Sequence, residues 1–246
     1  MDSGDNMTLP TNIDPCPILE AIFEIRFVAD LPGDAIFGIV YNHFKEDYPE
    51  LEKLPILQIP EQIRSQDPNL MWQPSYRLKN NRYLIQIGPK VLNIVSRASY
   101  GTWGEFSDKI NATFNDIDKL GIVKEIKKVS LRYVNFFENT KIIDESNLSI
   151  SLKSESLISN DINLDVQIMN QESNSLLKIL TSAGVQIKDV VKKGSVVDIE
   201  TCLNKIGEDL SCDSLKNVAD ILHADTKVLF YKLLSDRYID SLEVTY

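Results

Sequence analysis

Three cysteines, two histidines and two tryptophans are all that 246 residues contain of those types, and the scarcity excludes much. Cys16, Cys202 and Cys212 are too few and too scattered for a disulfide framework, and no CxxC pair suggests a zinc site. With two histidines and no cysteine cluster, a transition-metal enzyme lacks its ligands. There is no GxxxxGK(S/T), GxGxxG, HExxH or GxSxG. P-loop, Rossmann, zincin and α/β-hydrolase chemistry are thus without their usual signatures, and no cofactor is expected. No apolar run approaches the roughly 18 residues that suggest a membrane span. The opening, MDSGDNMTLPTNIDP, has neither the basic start nor the apolar core of a signal peptide. The expectation is a soluble cytoplasmic protein, without membrane association, that begins with a flexible tail over residues 1–15.

Basic residues are also outnumbered, 26 against 36 acidic, for a formal net charge of −10. Phosphate affinity comes from clustered Lys and Arg, so generic nucleic-acid binding is not expected. What is present in quantity is apolar: 43% of the residues are hydrophobic and 25% charged, enough for a packed core.

The stretch PILEAIFEIRF, residues 17–27, alternates at period two. Leu19, Ala21, Phe23, Ile25 and Phe27 share one face, while Glu20, Ile22, Glu24 and Arg26 share the other, the pattern of a half-buried strand. Phe37, Val40, Phe44 and Tyr48 then recur at helical spacing, so a helix is predicted over 34–48 with Asp34 as N-cap. LPILQIP reads as a short edge strand pinned between prolines. From Ser75 to Arg97 the pattern is a meander, YRLK, RYLIQI and VLNIVS, turning at Asn80-Asn81 and Gly88-Pro89. Thr102-Trp-Gly-Glu105 is a capping box that opens a helix with Trp103, Phe106, Ile110, Phe114 and Ile117 on one stripe and Gly121 at its end. VSLRYVNFF reads as a central strand. LDVQIMN, SLLKILTS and SVVDIETCL read as three more strands, followed by a helix over about 214–234. The fold class is therefore α+β: antiparallel sheet with a few amphipathic helices, in two related strand-meander-plus-helix halves, 16–140 and 141–246.

Several of these segments, PILEAIFEIRF, YRLKNNRYLIQIGPKVLNIV, YGTWGEF, VSLRYVNFF, VVDIETCL and LHADTKVLFYKLLSDRYIDSLE, occur here in an order that covers nearly the whole chain. The chain resembles a sporadically distributed, functionally uncharacterised family of bacterial and archaeal proteins of similar length. The resemblance implies a shared fold and a prokaryotic cytosolic setting, and it brings no reaction. By the same likeness His223, Phe230, Asp236 and Arg237 sit where the family has its helix signature, and residues 140–165 depart from it.

The candidate binding residues are Glu20, Glu24, Arg26, Arg77, Arg132 and His223. The first three share a strand face, and Arg132 lies in a later strand that is expected to pair with the first, placing it against Glu24. The simpler reading, a solvated face with matched charges, is preferred. Asp198 and Glu200, two apart, project the same way and have the geometry to hold Mg²⁺, but a nuclease of the restriction-enzyme type would also need a nearby lysine where Cys202 stands. His223 is expected on a polar helix face, paired with Asp220 three residues earlier, and His43 is read as packing or surface. Two functions compete. The first is a non-catalytic interaction module that presents a sheet face or edge to a protein or peptide partner or to a second copy of itself. The alternative is a metal-dependent enzyme acting on a phosphorylated substrate. In it Glu20, Glu24 and Asp198 or Glu200 would hold the cation, and Arg26, Arg77, Lys79 and Arg132 the phosphates.

Overall fold

Alternation decides the opening strand. Ile18–Val28 (β2) is extended for 11 residues, with Ala21, Phe23, Ile25 and Phe27 fully buried and Glu20, Ile22, Glu24 and Arg26 half-buried on the other side. It lies near the middle of a nine-stranded antiparallel sheet in a computed structural model that describes residues 9–97, 100–157, 161–187, 189–206 and 210–246, the Asp213 side chain apart.

In chain order β1 (Asn12–Asp14) precedes β2, and α1 (Gly33–Phe44) and β3 (Glu50–Lys53) follow it. Then come α2 (Glu61–Gln66), the meander β4 (Tyr76–Lys79), β5 (Tyr83–Ile87) and β6 (Val91–Arg97), and α3 (Trp103–Lys119). The second half opens with β7 (Glu125–Glu138) and a small hairpin, β8 (Ser151–Leu152) and β9 (Glu155–Ser156). It continues through the meander β10 (Asn163–Met169), β11 (Ser173–Ile187) and β12 (Val190–Leu203) to α4 (Leu215–Leu233), α5 (Asp236–Asp240) and β13 (Glu243–Thr245). The large sheet runs β10-β11-β12-β7-β2-β6-β5-β4-β3. Its order exposes an internal symmetry. Each half is a strand, a three-stranded meander whose last member returns to lie against that first strand, and a helix: β6 returns to β2, and β12 to β7. Because β2 and β7 also pair antiparallel, around Phe23 opposite Leu131, an approximate two-fold axis passes between them.

Helices α1, α3 and α4 pack on one face. Phe106, Ile110, Phe114 and Ile117 of α3 and Ile36, Val40 and Phe44 of α1 bury with Ala21, Phe23, Ile25, Val129 and Leu131 in one core, where Phe23 meets Phe114 edge-to-face at 5.5 Å. Leu177, Ile179, Val197 and Ile199 pack with Phe230 and Leu233 of α4 in a second. Burying an aromatic or aliphatic side chain at this depth contributes about 1.5–3 kcal/mol each, so this face carries most of the stability.

The capping box is present: Thr102 Oγ1 accepts from Glu105 N at 3.3 Å, and Glu105 Oε2 accepts from Thr102 N at 3.1 Å. Gly121, at φ +62°, follows the end of α3 in the left-handed conformation that glycine adopts without strain. Three expectations need correction. LPILQIP is not a strand; Pro55–Gln58 is a 3₁₀ turn, because proline at its first position lacks the donor a strand would use and Leu57 N and Ile59 N bond back to Leu54 and Ile56. The edge strand is β3, just before it. Helix α1 begins at Gly33, so Asp34 lies inside its first turn, and the helix ends at Phe44 with Tyr48 buried beyond it. In the segment read as a flexible tail, residues 12–14 form β1, which pairs with β13 and buries Ile13; residues 1–8 lie outside the described residues. Helix α2 and the hairpin β8–β9 had no periodic signal. Among the described residues no helix is long and apolar enough to cross a membrane.

Candidate functional site

The other face is polar, and register sets what meets what. Residues opposite one another on neighbouring strands share a face. Reading across five strands from the β3 edge gives one row, Glu52, Arg77, Gln86, Asn93 and Glu24, which Ser130 and Cys202 extend on β7 and β12. Hydrogen bonds connect the row. Arg77 Nη1 reaches Glu52 Oε2 at 3.2 Å. With the two side-chain amides turned as their neighbours require, Arg77 Nε and Nη2 donate to Gln86 at 3.2 Å, Gln86 donates to Asn93 at 3.1 Å, and Asn93 donates to Glu24 Oε2 at 3.3 Å. Such a chain polarises along its length and fixes every member's rotamer.

Around this row the charges alternate. Glu24 Oε1 accepts from Arg26 Nε at 2.8 Å, with Lys128 Nζ 4.0 Å away. Lys128 in turn pairs with Glu200. Arg132 is held in a two-pronged bond by Asp198, Nε to Oδ1 at 2.8 Å and Nη2 to Oδ2 at 2.6 Å. Burial alone would raise the Glu200 carboxyl, but Lys128, Ser130 and Arg132 together hold it below the ordinary carboxylate value. The bond to Asp198 keeps the Arg132 guanidinium firmly protonated. The connection from β3 to β4 overhangs this surface through Leu54–Ile56 and Trp72–Pro74, enclosing a cavity of about 460 Å³ lined by Glu24, Arg26, Arg77, Arg132 and Glu200. Arg26 lies over the Trp72 ring, 5.6 Å from its centroid, so the overhang is tied to the sheet by a cation–π contact.

The structure brings Glu24, Arg26, Arg77 and Arg132 into this one cavity. Glu20 is on the same face two rows from Glu24, where it meets Arg97 at 3.4 Å. The expected Glu24–Arg132 pair does not form. β2 and β7 do pair, but in a register that sets Glu24 opposite Ser130 and Arg132 opposite Ile22, so Arg132 turns to Asp198 on β12 instead. Asp198 and Glu200 project together as anticipated and are engaged by Arg132 and Lys128. His223 is not in this cavity. It lies on the helical face, where Nδ1 bonds Tyr133 Oη at 2.9 Å and the ring stacks on Trp103 at 4.1 Å, 3° from parallel. Its expected partner Asp220 accepts from Trp103 Nε1 at 2.8 Å. His43 faces Asp116 at 3.5 Å and packs against Phe44.

Sequence reasoning missed Trp72, Lys128, Gln86 and Asn93. Gln86 and Asn93 had a signal: each is a polar residue set among apolar neighbours, in YLIQI and VLNIV. Trp72 had none, because only the folded overhang brings it to the sheet. Neither a family model nor a curated protein matches this chain.

Proposed function

We propose that the protein is a binding module whose uncovered sheet face receives an extended segment of a protein partner in the cavity between β2, β7 and the Trp72 overhang. One observation carries this reading: the cations and anions that line the cavity are neutralised by one another and locked in hydrogen bonds, which suits a surface that exchanges its internal ion pairs for those of a charged peptide. A peptide with both signs of charge would match the alternation, and Trp72 offers it an apolar contact. The resemblance to a family without a known reaction is compatible with this reading and adds nothing to it.

The alternative, a metal-dependent enzyme for a phosphorylated substrate, draws on the same cations. Its proposed metal ligands fit less well. Glu24, Asp198 and Glu200 are already held by Arg26, Arg132 and Lys128. Among the described residues no group of three or more His, Cys, Asp or Glu is placed to hold a metal ion.

Selection of a displayed random-peptide library on the protein tests the first reading. Enriched peptides are expected to carry both acidic and basic residues and to be lost on the Arg26→Ala/Arg77→Ala variant. Equal enrichment on that variant would refute it. Calorimetry with Mg²⁺ and a nucleoside triphosphate tests the alternative, which fails if no heat is released.

A further inference from the structure

On the opposite side of the sheet a smaller cavity, about 110 Å³, opens between α4, β1 and the loop leading into α3. Its walls are mostly apolar, with Ile13, Trp103, Ile199 and Phe230 prominent, and polar groups converge within it. That combination, an apolar pocket with a few directed polar atoms, is how proteins hold small molecules. Tyr100 Oη lies 3.0 Å from Tyr133 Oη, and Tyr133 Oη lies 2.9 Å from His223 Nδ1. A phenol is the better donor and a neutral imidazole nitrogen the better acceptor, so protons run from Tyr100 to Tyr133 to Nδ1. Burial, then the nearby Lys227, pushes His223 down to about 4, leaving the ring neutral at pH 7. With Nδ1 accepting, the ring hydrogen is on Nε2. Among the described residues Nε2 has no hydrogen-bond partner. Lys227, one turn further along α4, lines the same cavity and forms no ion pair with a carboxylate among the described residues. His223 and Lys227 thus line one largely apolar cavity, each with a polar group that has no partner among the described residues.

We propose that this cavity binds a small aromatic or alicyclic carboxylic acid, its carboxylate held by Lys227 Nζ and His223 Nε2–H and its ring set against the apolar walls. Size limits the ligand to a single ring, since an engineered cavity of about 150 Å³ accepts benzene. The site lies across the sheet from the charged face and does not depend on the function proposed there.

The chain has two tryptophans, so Trp72→Phe leaves Trp103, in the cavity wall, as the only one. Titrating this variant with benzoate, cyclohexanecarboxylate and benzamide while reading its emission tests the proposal. Both acids are expected to give saturable changes at millimolar concentration or below, and the neutral amide to bind at least about tenfold more weakly. Lys227→Met in the same background should weaken benzoate by a similar factor and leave benzamide unchanged. A thermal melt of Lys227→Met close to that of its parent, as the partly exposed position predicts, checks that the variant is folded. Benzoate should also slow alkylation of Cys16, which lines the cavity and is the exposed one of the three thiols. The proposal is overturned if neither acid saturates, if benzamide binds as tightly as benzoate, or if Lys227→Met leaves the acid preference intact.

Discussion

Replacing Arg132 with methionine tests whether ion pairs hold the open face. Asp198 is 8% exposed and gives both carboxylate oxygens to the guanidinium, at 2.8 and 2.6 Å. Methionine keeps the aliphatic stem and removes both bonds, leaving a nearly dry carboxylate with no donor from position 132. Breaking a fully buried pair in this way costs about 3–5 kcal/mol. The Arg132 side chain is 43% exposed, so water enters the vacated space and the cost falls to about 2 kcal/mol. The reciprocal change is milder. Asp198→Asn retains an oxygen that accepts from Arg132, and the guanidinium keeps its water, so about 0.5–1 kcal/mol is lost. Arg132→Met/Asp198→Leu, which removes the stranded charge altogether, recovers most of the stability lost in the first variant. Urea unfolding at pH 7, followed by circular dichroism with the denaturant slope held constant, measures all three. Equal costs for the two single variants, or a double variant no better than Arg132→Met, would refute the argument that the desolvated carboxylate sets the energy.

Three further outcomes are expected. Thr102→Ala removes the cap of α3 and lowers stability by about 1 kcal/mol, read from the urea midpoint; Thr102→Ser restores it. Tyr48 Oη is buried without a hydrogen-bond partner among the described residues, so Tyr48→Phe is neutral or stabilising by up to about 1 kcal/mol in thermal unfolding, and a clear loss would reveal a partner. His223 has its proton affinity lowered from 6.5 to about 4 on folding. The unfolded chain therefore binds more protons between those values, and stability is lost as pH falls through that window, by about 2–3 kcal/mol, and levels off below it. His223→Phe should flatten this slope in urea midpoints measured against pH, and an unchanged slope would assign it elsewhere.

The fold was legible where one face is buried and the period is clean. β2 alternates because its two sides meet different media, and α3 announces itself through Thr102, Glu105 and a five-membered apolar stripe. Elements whose cause is tertiary were not legible. β1 consists of Asn-Ile-Asp, in which two of the three residues disfavour strand, and it is extended where β13 arrives from the far end of the chain to pair with it. α2 buries none of its residues, so it has no periodicity to display.

The site was half legible for the same physical reason. Period two assigns Glu24, Arg26 and Arg132 to a face, and that assignment needs no knowledge of partners. Pairing requires register, which is a property of two strands, and a shift of two residues keeps each side chain on its face while replacing all its neighbours. Here that shift gives Glu24 to Ser130 and frees Arg132 for Asp198, on a strand more than sixty residues away. Buried faces tolerate one register because apolar shapes must interlock; an open polar face adds little to that choice, since a charge finds an opposite charge in several alignments. The core therefore chooses the register, and the ion pairs on the open side follow from it. Disrupting that core at Phe23 or Leu131 should scramble the charged cavity, whereas neutralising the cavity should leave the core's register intact. Hydrogen exchange of the β2 and β7 amides in Arg132→Met measures the latter directly: protection of Phe23 and Leu131 should fall only by the global loss of stability, and selective loss at those two amides would show that the charges help to set the register.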